Sequence, residues 1–367
     1  MEKKKVKRLI NCLIPIYSCN FKCHYCYIPQ LDKETGVKNG QLKYSPEIIG
    51  KALSVERLQG YCLFNFCGFG ETLLLKDISS LIYHIAKQGH FIEIVTNGTL
   101  NDKFDEILSL PDFVLKQLEF KFSFHYLELV RLNKLQDFIR NVNKVKEQGC
   151  SFTIELMPND EVMEYIEDIK KLCTENFGAL CHLTVGRNQG KKGYPILTEL
   201  DKKEYISKWG EFKSQLFDFK LSTFGVKRKE YCYAGDWSMV VDFGRGVAKQ
   251  CYSTSYEYDI FKNISNPIPF VSVGCHCPEP HCFNSHAYLT LGDIPTMDTP
   301  TYADVRNREI EGERDWLNND CKMFLNSKFS DTNKEYSLIK KITNEIENYY
   351  QEIKYRTIHF VRSRKRR

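Results

Sequence analysis

Three features of the 367-residue sequence predict an α/β chain: a partial (β/α)6 barrel, then a small cysteine-rich α+β module and a C-terminal helix. Short apolar segments alternate six times with helical patterns between residues 8 and 219. Gly89, Gly149 and Gly178 stand at the ends of three helical patterns, where a left-handed residue closes a helix. Beyond residue 225 the composition turns to Cys, Tyr, Pro and Gly. Strands alternating with helices imply parallel βαβ units with crossovers of one hand. Six units are fewer than the eight of a closed barrel, so the barrel is expected to be open on one side. The expected divisions are 1–225 (barrel), 226–325 (cysteine-rich module) and 326–367 (helix and basic tail).

The elements follow in order. Residues 8–17 read as a buried strand and 45–59 as a helix, with Ser45 as cap, Pro46 at its first position and Glu47 at the positive end of the dipole. Strand 62–67 precedes helix 76–88, and strand 91–96 precedes a short helix near 102–109. Strand 118–124 (LEFKFSF) alternates less cleanly than a surface strand requires, and a helix over 132–148 follows it. Strand 151–157 leads to helix 160–176, and strand 182–187 to a helix across 199–219. Residues 231–300 carry few periodic runs and read as a loop-rich module that needs cross-linking to be stable. Tyr336, Leu338, Ile339, Ile342, Ile346, Tyr349, Tyr350 and Ile353 give 333–356 the pattern of a helix docked on the body.

Composition excludes several classes. With 42% hydrophobic and 27% charged residues the chain is globular, not disordered. No apolar run approaches the roughly 18 to 20 residues of a membrane span. The apolar stretch 9–17 lacks a following small-residue cleavage site, so a cytoplasmic location is expected. Fifteen cysteines are then not a secreted disulfide framework, and an odd count cannot pair completely. The net charge of +5 is uneven: the N-terminal basic run carries +4 and the C-terminal run +5, leaving −4 for the body. Such termini read as solvated tails, and nucleic acid is not an expected partner.

The densest chemistry follows the first strand: Cys19, Cys23 and Cys26, spaced C-x3-C-x2-C on a loop at the end of the sheet where α/β folds bind ligands. Three thiolates can hold three irons of a [4Fe–4S] cube and leave the fourth open to an exogenous ligand. Zinc is the alternative metal, with His24 as an awkward fourth ligand. The three cysteines, with aromatic Tyr25 before the last, resemble the signature of radical S-adenosylmethionine enzymes. The resemblance implies that the open iron binds S-adenosylmethionine, that an external one-electron donor such as flavodoxin or ferredoxin reduces the cluster, and that a 5′-deoxyadenosyl radical abstracts hydrogen from the substrate. It implies that Tyr25 lies by the adenine. Cys67-Gly68-Phe69-Gly70-Glu71-Thr72 is similar to the family's Gly-Gly-Glu-Pro loop and departs from it at two positions, Thr72 replacing the proline. Gly68 and Gly70 allow close backbone approach, and Glu71 can accept hydrogen bonds from the cofactor's ammonium group. Thr96-Asn97-Gly98-Thr99 looks like the family's Thr-Asn-Gly turn, and Ser123 matches a ribose contact. His125 reads equally as a ribose contact, a substrate contact or a satisfied half-buried histidine. Arg187 is a candidate partner for the cofactor's carboxylate. The resemblance covers about residues 8–220.

A second group comprises Cys232, Cys251, Cys275, Cys277 and Cys282. Cys232 and Cys251 bracket a hairpin, and the later block is C-x1-C-x4-C with His286 beyond it. This looks like the SPASM or twitch extension of the same family, whose modules hold auxiliary [4Fe–4S] clusters. One auxiliary cluster is expected, with Cys232 and Cys251 as the firmest ligands and one of Cys275, Cys277 and Cys282 left out. Two clusters would need Cys321 and His286 as well, and zinc is a further alternative. Cys12, Cys62, Cys67, Cys150, Cys173 and Cys181 read as packing, with Cys67 kept as a potential hydrogen-atom donor.

Two chemistries suit this set. One is oxidation or epimerisation of a small sugar-like or aminocyclitol-like substrate, with Arg187, Glu155 or His125 as candidate base. The other is modification of a ribosomal peptide or protein. Only seven residues precede the first strand, which is read as the lack of a peptide-binding domain. A non-catalytic iron–sulfur or zinc module contacting nucleic acid is the third reading.

Overall fold

The computed structural model describes residues 4–26, 40–275 and 277–365; parts of both basic termini lie outside them. All six expected strands form, as β1 (Arg8–Ile14), β2 (Cys62–Gly68), β3 (Phe91–Thr96), β4 (Leu118–Phe124), β5 (Ser151–Leu156) and β6 (His182–Leu183). They pair in parallel in sequence order. β7 (Ser238–Asp242), β8 (Val247–Lys249) and β9 (Glu257–Tyr258) extend the same sheet, giving the order β6-β5-β4-β3-β2-β1-β7-β8-β9. β7 is parallel to β1 and forms the expected hairpin with antiparallel β8, and β9, beyond Cys251, is a further antiparallel addition. The sheet is therefore open, as expected of a partial barrel.

Several expected helices are broken, for local reasons. The pattern at 45–59 splits into α1 (Pro46–Ala52) and α2 (Val55–Leu58) because Ser54 caps a second start, its hydroxyl accepting from the Arg57 N–H. α3 (Ile78–Ala86), α4 (Asn101–Leu108) and α5 (Asp112–Leu115) follow. The helix expected at 132–148 forms as α7 (Leu135–Glu147), and an unexpected short helix, α6 (Tyr126–Arg131), precedes it, separated from it by the left-handed Asn133. α8 (Ile166–Phe177) is preceded by a 3-10 turn from Asp160. The pattern at 199–219 splits into α9 (Lys202–Trp209) and α10 (Gln215–Thr223) around left-handed Lys213, with Ser214 capping the second piece. The sixth strand is two residues long; past Thr184 the chain leaves the sheet, and Arg187 instead bridges to Ile196.

β4 shows how the sheet sorts its side chains. Its alternation is complete, contrary to the expectation of an unclean pattern: Phe120, Phe122 and Phe124 face the helices, where Phe104 and Phe138 pack on them with ring centroids 5.1–5.7 Å apart. Glu119, Lys121 and Ser123 alternate with them and face the concave side. The register places Asn11, Asn65, Glu93, Glu119 and Ser151 in one row across that face. The barrel is thus apolar outside its wall and polar within.

The C-terminal third closes the lumen from below. Leu9, Leu63 and Phe91, at the N-terminal ends of their strands, join a second apolar core with Tyr233, Trp237, Tyr302, Phe329 and residues of α11 (Ser285–Leu291) and α12 (Asn319–Leu325). Residues 231–300, expected to lack the periodic apolar runs of a core, still contribute to one: aromatic residues spread over loops, Tyr233 and Trp237 among them, supply it without periodicity. The last helix, α13 (Leu338–Lys365), is also not docked by its apolar stripe. Asn344 and Asn348 bind the backbone of Ser272 and Val273, whereas Leu338, Ile339, Ile346 and Tyr349 are 63–76% exposed.

Candidate active site

The loops after β1, β2 and β3 lock together at the C-terminal mouth. The Glu71 N–H donates to the Ser18 carbonyl at 2.9 Å. A Cβ at Gly70 would lie 1.9 Å from that same oxygen, so only glycine lets the second loop run against the cysteine loop. Glu71 is 3% exposed, and its carboxylate accepts from the Leu73 N–H, the Thr96 hydroxyl and the Asn97 N–H at 2.7–3.1 Å. Thr72 is the first residue of a 3-10 turn over Thr72–Leu74, a position that proline also suits, which accounts for the departure there. Asn97 Nδ2 donates to Asn20 Oδ1 at 2.7 Å and lies 3.9 Å from Cys19 Sγ. Asn20 in turn donates to Thr99 Oγ1 at 2.9 Å. The three loops therefore set the position of Cys19. Gly68 ends β2, and Ser123 stands opposite Glu155 near the end of β4.

Cys23 and Cys26 share a turn, the Cys26 N–H donating to the Cys23 carbonyl at 3.1 Å. Burial and the neighbouring thiols push Cys19 up to about 11 and Cys23 up to about 12. A metal must therefore displace the protons of Cys19 and Cys23 to bind. His24 is turned away, its Nε2 3.0 Å from Glu161 Oε2, so it does not complete a zinc site. Tyr25 is buried, with its hydroxyl 2.7 Å from His125 Nδ1. Burial drives His125 down to about 4, so the ring is neutral. Of the three readings of His125 the satisfied one fits: it orients Tyr25.

The second group is also brought together, with one exclusion. Cys232, Cys251, Cys277 and Cys282 line one cleft with Tyr252, Tyr288 and Leu289. Cys275 is exposed outside it, its N–H donating to Glu345 of α13 at 3.1 Å. Gly274 permits this turn: its φ is +76°, and a Cβ would meet the Glu345 carboxylate at 2.0 Å. Cys321 is 1% exposed in the second apolar core, and His286 faces Lys121 at 3.5 Å, so neither joins the cleft thiols. Among the described residues no three His, Cys, Asp or Glu side chains converge as a single metal ion would require. Three thiols on an open loop, and four around one cleft, fit the donor sets of iron–sulfur clusters. Cys12, Cys62, Cys150, Cys173 and Cys181 are core residues, whereas Cys67 Sγ faces the lumen 3.6 Å from Tyr252 Oη.

Sequence reasoning missed the lumen between the two sites. Glu155 is held by Lys121 at 3.3 Å and by Arg306, which also pairs with Glu93 at 3.3 Å. Tyr302 donates to Glu93 at 2.6 Å. Burial and Glu93 raise Glu119 to about 8, and burial and Arg306 lower Lys121 to about 8. Lys220 falls to about 7 through burial and the charges of Lys121 and Arg187. Arg187 lies with its guanidinium 4.3 Å from the Phe283 ring centroid, beside the second thiol group.

Residues 13–173 match the family model of the Radical SAM superfamily. A Methanocaldococcus jannaschii protein, named by inference a glycyl-radical enzyme activating enzyme, is 30% identical over 162 residues, covering 42% of this chain and 59% of that protein. The chain thus spans less than two thirds of that relative. Streptococcus suis SuiB bound to S-adenosylmethionine aligns over 73% of this chain and 65% of its own, at 15% identity and a TM-score of 0.45. The structure of anSMEcpe with bound AdoMet aligns over 97% and 98%, at 16% identity and a TM-score of 0.46. In the described residues no helix is long and apolar enough to cross a membrane. The residues that match this family model, 13–173, include the three-cysteine loop and its two supporting loops.

Proposed function

We propose that this chain is a radical enzyme that binds S-adenosylmethionine on a [4Fe–4S] cluster held by Cys19, Cys23 and Cys26, and carries one auxiliary [4Fe–4S] cluster on Cys232, Cys251, Cys277 and Cys282. When bound, the first cluster supplies one-electron cleavage of S-adenosylmethionine and with it a hydrogen-abstracting radical. The observation that carries the reading is the lock between the three loops: Gly70 against Ser18, Glu71 against Thr96 and Asn97, and Asn97 against the Cys19 loop. In this reading Tyr25, held by His125, covers the adenine side of the site. Gly68, Gly70, Glu71 and Thr72 hold the loop that faces the cofactor's amine, and Asn97 and Ser123 line the ribose side. Glu71 acts by fixing the loop backbone, since its own oxygens are already engaged. Arg187 is reassigned from the cofactor's carboxylate to the substrate side.

For the substrate we favour a small hydroxylated molecule, sugar-like or aminocyclitol-like, that is oxidised or epimerised. The polar lumen of Lys121, Ser123 and Glu155 beside the cysteine loop supports it. The second reading is modification of a peptide or protein, which the name of the Methanocaldococcus jannaschii relative favours. The test is anaerobic reconstitution with iron and sulfide, reduction, and assay of 5′-deoxyadenosine. About eight irons per chain and steady product are expected. An intact, reduced cluster that forms no product would refute the radical reading, and about four irons would refute the auxiliary cluster.

A further inference from the structure

α13 carries two unlike faces. On one, Asn344 and Asn348 hold the backbone of Ser272 and Val273, and Glu345 accepts from the Cys275 N–H at 3.1 Å. On the other, Ile339, Ile342, Ile346, Tyr349 and Ile353 recur at intervals of three, four, three and four residues. With Leu338 and Tyr350 beside them they are 48–76% exposed. A repeat of 3.5 residues is the seam of a left-handed coiled coil, and isoleucine fills the first position of each repeat here. Asn344 and Asn348 lie on the opposite side of the helix, so the body leaves room for a second helix along the seam. The seam's exposed apolar area is on the order of 800 Å², more than the roughly 300–600 Å² patch of an ordinary monomer. It matches what each partner contributes to a stable interface.

The charges beside the seam select the occupant. Residues 338–355 carry three lysines (Lys340, Lys341, Lys354) and three glutamates (Glu345, Glu347, Glu352). A helix that lies on an anionic membrane has an excess of Lys and Arg along its polar face. Here the arginines, from Arg356 on, lie past the last isoleucine of the seam. Balanced flanks let two identical helices meet without net repulsion along the seam. The body already holds α13, so pairing does not require the helix ordering that limits short free coiled coils. We propose that α13 is a dimerisation helix, and that a second copy of this chain lays its own 338–353 seam against this one about a two-fold axis. The pairing is independent of the radical chemistry proposed above.

The experiment is sedimentation velocity of the full reconstituted chain over about 0.1–100 μM. A monomer–dimer equilibrium with a dissociation constant of about 1 μM is expected. Ile346→Lys and Tyr349→Lys should each weaken it at least about 100-fold, because a two-fold axis places each new charge in the seam twice. Ile346→Leu should retain the dimer, and Lys354→Gln should leave it unchanged. Both lysine variants should keep their helicity and iron content, since the bonds that hold α13 come from other residues. Should Ile346→Lys misfold, Tyr349→Lys decides. A chain still monomeric at about 100 μM overturns the proposal, and so does a dimer that both lysine variants leave intact. A monomeric chain whose seam binds vesicles of phosphatidylcholine and phosphatidylglycerol also overturns it, the occupant then being a membrane.

Discussion

Gly70→Ala probes the lock that places the cysteine loop. The new Cβ would stand 1.9 Å from the Ser18 carbonyl oxygen and 2.9 Å from the Ser18 nitrogen, against a practical limit of 3.0 Å. Both neighbours are backbone, so no side chain can swing aside, and the two loops must part by about 1 Å. That separation stretches the 2.9 Å bond from the Glu71 N–H to Ser18. Losing such a bond costs about 1 kcal/mol, and overpacking costs about 1–3 kcal/mol. Against a domain stability of about 5–15 kcal/mol the protein should still fold. The catalytic geometry is less tolerant, because a misplacement of about 1 Å can reduce a rate about 100-fold. The assay is the rate of 5′-deoxyadenosine formation by reconstituted, reduced protein of matched iron content. Gly210→Ala is the control: nothing lies within 4 Å of its added Cβ. A full rate in Gly70→Ala, or an equal loss in Gly210→Ala, would refute the reasoning.

Four further outcomes are expected. Cys277→Ala should lose about four irons per chain and Cys275→Ala none, as counted by iron analysis; the reverse would exclude the assigned cleft. His90 is buried and bonded through both nitrogens, accepting from the Cys62 N–H and lying 2.9 Å from the Leu53 carbonyl, and burial lowers it to about 4. Below pH 6.5 the unfolded chain therefore binds the extra proton, so stability falls as pH falls from 6.5 to 4, by about 3 kcal/mol from this residue; urea unfolding at several pH values should show a shallower fall in His90→Gln. Arg306→Met leaves Glu93 and Glu155 without their buried partner and should cost about 3–5 kcal/mol in the same assay. Tyr25→Phe removes the 2.7 Å contact with His125 and should cost about 1 kcal/mol of stability while leaving the iron content intact.

The parts of this molecule written in consecutive residues were legible, and those made by distant residues were not. Six strands and their order follow from local periodicity. Three adjacent cysteines, and glycines where two loops touch, are also local signals. By contrast, the exclusion of Cys275 depends on Glu345, on a helix seventy residues away in sequence. The escape of His24 from the cysteine loop depends on Glu161. β4 alternates fully, against its reading as an unclean pattern, and nothing in its seven residues says which face turns inward. In this barrel the phenylalanines pack on the helices and the charged residues fill the lumen, the reverse of a sheet with one wet surface. α13 misled for a related reason: its apolar stripe was plain, yet asparagines on another face do the docking.

The lumen bears on function through its cost. Glu93, Glu119, Lys121, Glu155 and Arg306 occupy positions where aliphatic side chains of similar volume would be neutral or stabilising. Glu119 has no hydrogen-bond partner for either carboxylate oxygen, and its raised pKa leaves it protonated at neutral pH. Stability alone does not account for such a set. The group ascends the wall in register, from Glu93 and Glu119 through Lys121 to Ser123 and Glu155, and ends beside the loops that position Cys19. Lys121 meets His286 from α11, the helix that follows Cys282. The charged group therefore reaches from Ser123 and Glu155, near the C-terminal ends of their strands, to the helix that follows Cys282. A buried set of that cost fits the substrate-binding role proposed for the lumen better than a role in stability.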